Sequence, residues 1–331
     1  MSRSFRSLIL AAGLALSLAA CAPAAPASPA TSSAPTPVRL LLTYQPDVQF
    51  APFYVGLEKG YFKSHGLDVT LEHLAESDVV KQVATGQAPF GVVSGEQVLL
   101  ARAQGLPVVY VFAWFNTNPT AIVSKADKGI TTPKDLKGKS VGVPLKEGAS
   151  YVGLEAILQS AGLTDQDISL KVTGFSQVQT LLADQVDAVV VYQNNEPLQL
   201  AAQNVKVNTI TVGQVAPLLG NGLIVSETML KQHPDEVRAM LAAFSQSLQD
   251  AIAHPDDAFT LSQKYVEGLK DPSVAATQRK VLDATIALWK QDQLGHSDPA
   301  AWSKMQDVLA KMGLITTPTD ASAAFSNDYL P

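Results

Sequence analysis

The residues best equipped for chemistry in this chain are flat rings and acidic or amide groups. Tyr44, Trp114, Tyr151 and Tyr192 offer stacking faces, with Phe50 beside them, and Asp47, Gln49, Ser94, Glu96, Asn116, Asn194 and Glu196 offer hydrogen-bonding edges. Lys146 is the one cation near this set. A sulfonate or nitrate site calls for Arg or several cationic donors. A neutral, flat heterocycle calls for rings and a few edge hydrogen bonds. The set fits the second, and each stacking contact adds about 0.5–1.5 kcal/mol beyond area burial. Asp47 and Ser150 suit a helix N-cap equally well.

Other chemistries lack their residues. His65, His73, His233, His254 and His296 never stand at HExxH spacing, which leaves a zinc hydrolase without support. Ser94 lies in GVVSG, which is not a GxSxG elbow. No Walker loop or GxGxxG fingerprint follows a strand pattern. Neither a metal nor a cofactor is expected.

The elements that must position these residues follow a β-α alternation. Strand patterns cover residues 38–44, 67–74, 90–94 and 108–114, with helical spacing over 51–65, 77–85 and 96–104. A second set has strands at 121–124, 139–143, 168–172, 188–192 and 207–212, with helices at 132–135, 151–160 and 177–184. A strand at 223–226 then leads into helices at 234–254, 255–267, 275–291 and 299–312. Alternation of this kind predicts β-α-β units on parallel sheets. In such sheets ligands lie beyond the strand C-termini. That rule selects Tyr44, Asp47, Gln49 and Phe50 after the first strand, Ser94 and Glu96 after the third, and Trp114 and Asn116 after the fourth. In the second set it selects Glu147, Ser150 and Tyr151, then Tyr192, Asn194 and Glu196. Phe53, Tyr54 and Phe62 sit at core spacing on a helix and are expected to pack, as are Val237, Met240, Leu241, Phe244 and Leu248.

Arg3 and Arg6 precede an apolar run from Leu8 to Ala20, too short for a comfortable membrane span. Leu18-Ala19-Ala20-Cys21 resembles a bacterial lipobox, which implies cleavage before Cys21 and lipidation of its thiol. Residues 22–37 are Ala, Pro, Ser and Thr apart from Cys21 before them, and predict a tether. Cys21 is the only cysteine among 331 residues, so no intrachain disulfide can form. The formal net charge is −6, and no basic, aromatic-interleaved stretch favours nucleic acid.

The string YQPDVQFAPFYVGLEKGYF at residues 44–62 resembles the opening of a superfamily of ABC-importer solute-binding proteins, the one that includes thiamin-pyrimidine, sulfonate and nitrate receptors. Gly66-Leu67-Asp68-Val69, Phe90 to Ser94 and the TTPKDLKGKSVGVP segment at 131–144 continue that likeness, which runs from about residue 38 to 270. The resemblance implies a type II periplasmic-binding-protein fold, two α/β lobes joined by two crossing strands. Crossings are expected near 121–126 and 218–226, with one lobe from 38–122 plus 223–331 and the other from 123–222. PDVQFAPFYV looks most like the riboflavin and vitamin-precursor members. The resemblance implies a monomeric, extracytoplasmic, lipid-anchored receptor that delivers a heterocycle such as riboflavin to ABC permease subunits. The alternatives are a thiamin pyrimidine precursor or a sulfonate- or nitrate-type anion. Relatives that synthesise the pyrimidine carry a cysteine-rich metal motif, from which this chain departs, so an enzyme is not expected.

Overall fold

A computed structural model of the chain describes residues 34–317 and 319–331. The expected lipidation at Cys21 lies outside the described residues, as does the tether through residue 33.

Ten strands form two five-stranded sheets. They are β1 (Thr36–Thr43), β2 (Leu67–Leu74), β3 (Phe90–Ser94), β4 (Val108–Ala113), β5 (Thr120–Lys125), β6 (Ser140–Val143), β7 (Ser169–Val172), β8 (Ala188–Tyr192), β9 (Val207–Thr211) and β10 (Asn221–Ser226). The first sheet has the order β2-β1-β3-β10-β4 and the second β7-β6-β8-β5-β9. β1 runs parallel to β2 and β3, and β6 runs parallel to β7 and β8. The sheets are not wholly parallel as expected. β10 is antiparallel to both β3 and β4, and β5 is antiparallel to both β8 and β9. Each is the first strand after the chain has passed from one sheet to the other, so it enters reversed.

That pairing also moves the crossings. β5 is hydrogen-bonded on both sides within the second sheet and β10 on both sides within the first. The chain therefore passes between them at 114–119, ahead of the expected 121–126, and at 212–220, which overlaps the expected 218–226. At the N-terminal side, Thr36 and Pro37 belong to β1, which extends two residues into the expected tether.

The expected helix over 51–65 is two helices, Ala51–Glu58 and Tyr61–Ser64. Gly60 separates them at φ +74°, a left-handed conformation that glycine adopts without a Cβ penalty. Phe53, Tyr54 and Phe62 are buried in the core. So is the stripe Val237, Met240, Leu241, Phe244 and Leu248 of the helix Pro234–Ala253. Phe53 stacks on Phe244 with centroids 4.5 Å apart, which joins the helices Ala51–Glu58 and Pro234–Ala253, and Phe112 of β4 meets Phe244 edge-on at 5.1 Å, which fastens them to the first sheet. Each such side chain contributes roughly 1.5–3 kcal/mol by burial. No helix among the described residues is long and apolar enough to cross a membrane.

Candidate functional site

A cleft opens between the C-terminal ends of strands from the two sheets. From the first sheet come Thr43 and Tyr44 at and after the end of β1, Leu74 to Glu76 at and after the end of β2, and Trp114 and Phe115 after β4. From the second come Pro144 and Leu145 after β6, Phe175 after β7, and Tyr192, Asn195 and Glu196 at and after β8. The helix Gly148–Ser160 points its first residues into the same space.

Six aromatic rings line the cleft: Tyr44, Phe50, Trp114, Phe115, Phe175 and Tyr192. Three carboxyl groups join them, on Glu76, Glu147 and Glu196, and among the described residues no Lys, Arg or His does. Lys146 is exposed instead, paired with Asp165 at 3.0 Å. Among the described residues no cluster of His, Cys, Asp or Glu is arranged to hold a metal ion.

Contacts between the two sets of loops hold the cleft closed. The Tyr44 ring meets Phe175 edge-on at 4.7 Å. Tyr44 stands at φ +66°, a strained backbone for a bulky residue and one found where a site over-determines the chain. Tyr192 Oη donates to Asn221 Oδ1 at 3.3 Å. Asn194 Nδ2 donates to Gln49 Oε1 at 2.7 Å and to Thr285 Oγ1 at 2.8 Å.

Glu76 makes the most developed of these contacts. Its Oε1 accepts from the Ser94 amide at 2.6 Å and from Ser94 Oγ at 2.8 Å. Its Oε2 accepts from the Ala149 amide at 2.8 Å, at the first turn of the helix Gly148–Ser160. A carboxylate from the first sheet thus caps a helix of the second. Ser94 Oγ also lies against Glu96 Oε1. A hydroxyl has one proton and cannot donate to both carboxyl groups, so one member of the pair holds a proton. Burial pushes the Glu96 carboxyl up to about 8, and the neighbouring Glu76 charge adds to the shift. Burial also raises Glu76, but its three donors favour the ionised form on this member of the pair. Burial pushes Glu196 up to about 7, although its carboxylate accepts the Tyr192 amide at 3.0 Å.

The structure brings Tyr44, Gln49, Phe50, Trp114, Tyr192 and Glu196 of the expected set together in the cleft. It keeps six others off the lining. Asp47 is buried and accepts from the Gln49 amide at 3.0 Å as an N-cap. Ser94 and Glu96 lie fully buried beneath Glu76. Asn194 is tied to Gln49 and Thr285 at the back of the cleft. Asn116 is exposed on the far side of the 114–119 crossing, in a separate depression with Gln291 and His296. Tyr151 turns outward, its hydroxyl donating to Asp165 at 3.3 Å. Gly148, Ala149 and Ser150 line the cleft, and Tyr151 is the first residue of the helix to leave it.

Glu76 and Phe175 were missed although the strand-end rule reaches both. They follow β2, the second strand of the first set, and β7, the third strand of the second set. Gly148 carries a further requirement. Its φ is +73°, and a Cβ there would stand 2.6 Å from Glu76 Oε2. Gly148→Ala is expected to displace Glu76 and to cost at least the 1–2 kcal/mol, roughly, of a left-handed backbone. Urea unfolding of the two proteins side by side checks this, and equal midpoints would refute it.

The family model described as "NMT1/THI5 like" matches residues 47–258. The chain is 34% identical over 302 residues to the riboflavin-binding protein RibY of Chloroflexus aurantiacus, which covers 89% of this chain and 86% of that protein. It is 24% identical over 307 residues to a 4-amino-5-hydroxymethyl-2-methylpyrimidine phosphate synthase of Aspergillus parasiticus, covering 88% and 87% of the two chains. Among solved structures, the alkanesulfonate-binding protein SsuA of Xanthomonas axonopodis pv. citri, bound to MOPS, superposes with a TM-score of 0.70 at 15% identity. That match covers 89% of this chain and all of SsuA. The likeness shows the fold, the two-lobed α/β architecture of periplasmic solute-binding proteins.

Proposed function

Since the chain belongs to the NMT1/THI5-like family, we propose that it is the extracytoplasmic solute-binding component of an ABC importer and that its ligand is riboflavin. One observation carries the ligand: six rings and three carboxyl groups line the cleft without a single cation. The isoalloxazine of riboflavin is flat and uncharged and suits those faces, while its ribityl hydroxyls suit Gln49, Asn195, Asn221 and Glu196. Trp114 Nε1 is buried without an acceptor among the described residues, as are Trp289 Nε1 and Trp302 Nε1, and of these three indoles Trp114 is the one that lines the cleft, which favours it as a donor to the ligand. The likeness to RibY supports the same reading.

In this proposal one lobe is built on β1–β4, β10 and the C-terminal helices, and the other on β5–β9. Closure buries the flavin, and each lobe then faces a permease subunit. The protein acts as a monomer, without catalysis, and Cys21 carries the lipid that holds it at the membrane. A thiamin pyrimidine precursor is the second reading, favoured by the relative named for pyrimidine phosphate synthesis. An anion receptor is disfavoured by the lining.

Riboflavin at a hundredfold excess over its dissociation constant is expected to stabilise the protein by about 2.7 kcal/mol. A thermal-shift panel of riboflavin and thiamin pyrimidines reads this directly. A shift with the pyrimidine alone would move the assignment to the second reading, and none with either would overturn both.

A further inference from the structure

The helix Gly148–Ser160 is 13 residues long and directs its N-terminus at the cleft. Unpaired amides and the positive end of the helix dipole make such a terminus a natural seat for a ligand's anionic group. Here that seat is filled from within the chain. Glu76 Oε2 takes the Ala149 amide, and Ser94 holds the other oxygen with two donors. The carboxylate is nine-tenths buried, and the absence of a Cβ at Gly148 leaves room for its Oε2, which such an atom would approach to 2.6 Å. Glu147 and Glu196 line the same space, and no cation there offers an incoming anion a second seat.

We propose that Glu76 is a specificity-determining residue, which occupies the anion seat of the cleft so that ligands bearing phosphate, sulfonate or carboxylate groups are turned away in favour of uncharged ones. An anionic ligand would have to displace a carboxylate tethered at high local concentration, or sit beside it unpaired. An uncharged ligand meets neither cost. The inference rests on the flavin reading only for the choice of one test pair: riboflavin and riboflavin 5′-phosphate differ by one phosphate group and share every ring.

Calorimetric titration of the whole protein with both flavins at pH 7, repeated on Glu76→Ala, tests it. The intact protein is expected to prefer riboflavin by about a hundredfold or more. Glu76→Ala is expected to reduce that preference to less than about tenfold, mainly by gaining affinity for the phosphate ester. A preference near one in the intact protein would overturn the proposal, as would an unchanged preference in the variant. A second arm requires no flavin. Methanesulfonate, against a chloride control, is expected to raise the melting temperature of Glu76→Ala and leave that of the intact protein unmoved. If neither flavin binds either protein, the flavin reading fails and the sulfonate arm decides. Stabilisation of the variant alone supports the role of Glu76, and stabilisation of both or of neither overturns it. Glu76→Gln keeps the side-chain volume without the charge and serves both arms should the alanine variant not fold. It is expected to move in the same direction by a smaller factor.

Discussion

Trp114→Ala is expected to lower the melting temperature on the order of 10 °C and to abolish measurable riboflavin binding. The indole is 1% exposed and stands at the centre of an aromatic cluster. It stacks on Trp289 with centroids 6.0 Å apart and meets Phe53 and Phe115 edge-on at 5.1 and 4.7 Å. Phe50 tilts against it at 5.6 Å. Truncating a buried Trp costs about 3–5 kcal/mol through lost transfer energy and the cavity left behind. In a protein of this size 1 kcal/mol moves the midpoint by roughly 2–4 °C. Trp114→Phe separates the two roles of the residue. It keeps a ring among the others and removes Nε1, so most of the stability should remain while flavin affinity falls by about tenfold, the value of one hydrogen bond. Thermal unfolding and flavin titration on both variants check the pair. Binding by Trp114→Phe equal to that of the native protein would assign the indole to packing alone.

The position of Trp114 also marks where the amino-acid sequence is informative and where it stops being so. The β-α alternation is written in local spacing, and residues directly after β1, β4 and β8 reach the cleft as a strand-end rule requires. Which strand ends stand at the rim is not local. After β3, Ser94 and Glu96 sink below the rim under a side chain arriving from the loop after β2. β2 and β7 are the edge strands of their sheets, and the loops after them bring in Glu76 and Phe175. The decisive contact, Glu76 to the Ala149 amide, joins residues 73 apart on different sheets, and no periodicity records it. The composition of a loop does not fix how far into the following helix the lining runs, and here it stops at Ser150, one residue short of Tyr151. The reversed strands β5 and β10 were hidden for a similar reason. A strand's own residues carry its buried faces, whereas its direction depends on the neighbours it meets.

The buried carboxyl groups make stability depend on pH in a direction opposite to that of a protein held by surface ion pairs. Glu96 ionises near its ordinary value in the open chain, 4.5, but at about 8 in the folded protein. Glu196 is raised to about 7. Between the two values the folded state holds the proton that the unfolded state has released, so stability falls as pH rises. The contribution is complete below about 4.5, declines through the interval and is gone above the folded value. At about 1.4 kcal/mol per unit, the Glu96 shift alone amounts to several kcal/mol. His73, lowered by burial, acts the other way, since the unfolded chain binds its proton first and stability then rises up to its ordinary value of 6.5. The carboxylates held low, such as Asp187 beside Ser140 and Asp184 beside Lys125 and Lys128, titrate below their ordinary 3.8 and leave the interval untouched. The melting temperature is therefore expected to fall on the order of 10 °C between pH 5.5 and pH 8.5. Glu96→Gln gives the sharper test. Its amide can donate to Ser94 Oγ as the protonated acid does, and it cannot ionise. The variant should lose more than half of the pH slope and be more stable than the native protein at pH 8.5, an unusual outcome for substitution of a fully buried residue. A native profile that is flat from pH 5.5 to 8.5, or a variant whose slope matches it, would show that Glu96 does not carry the proton that the geometry of Ser94 demands.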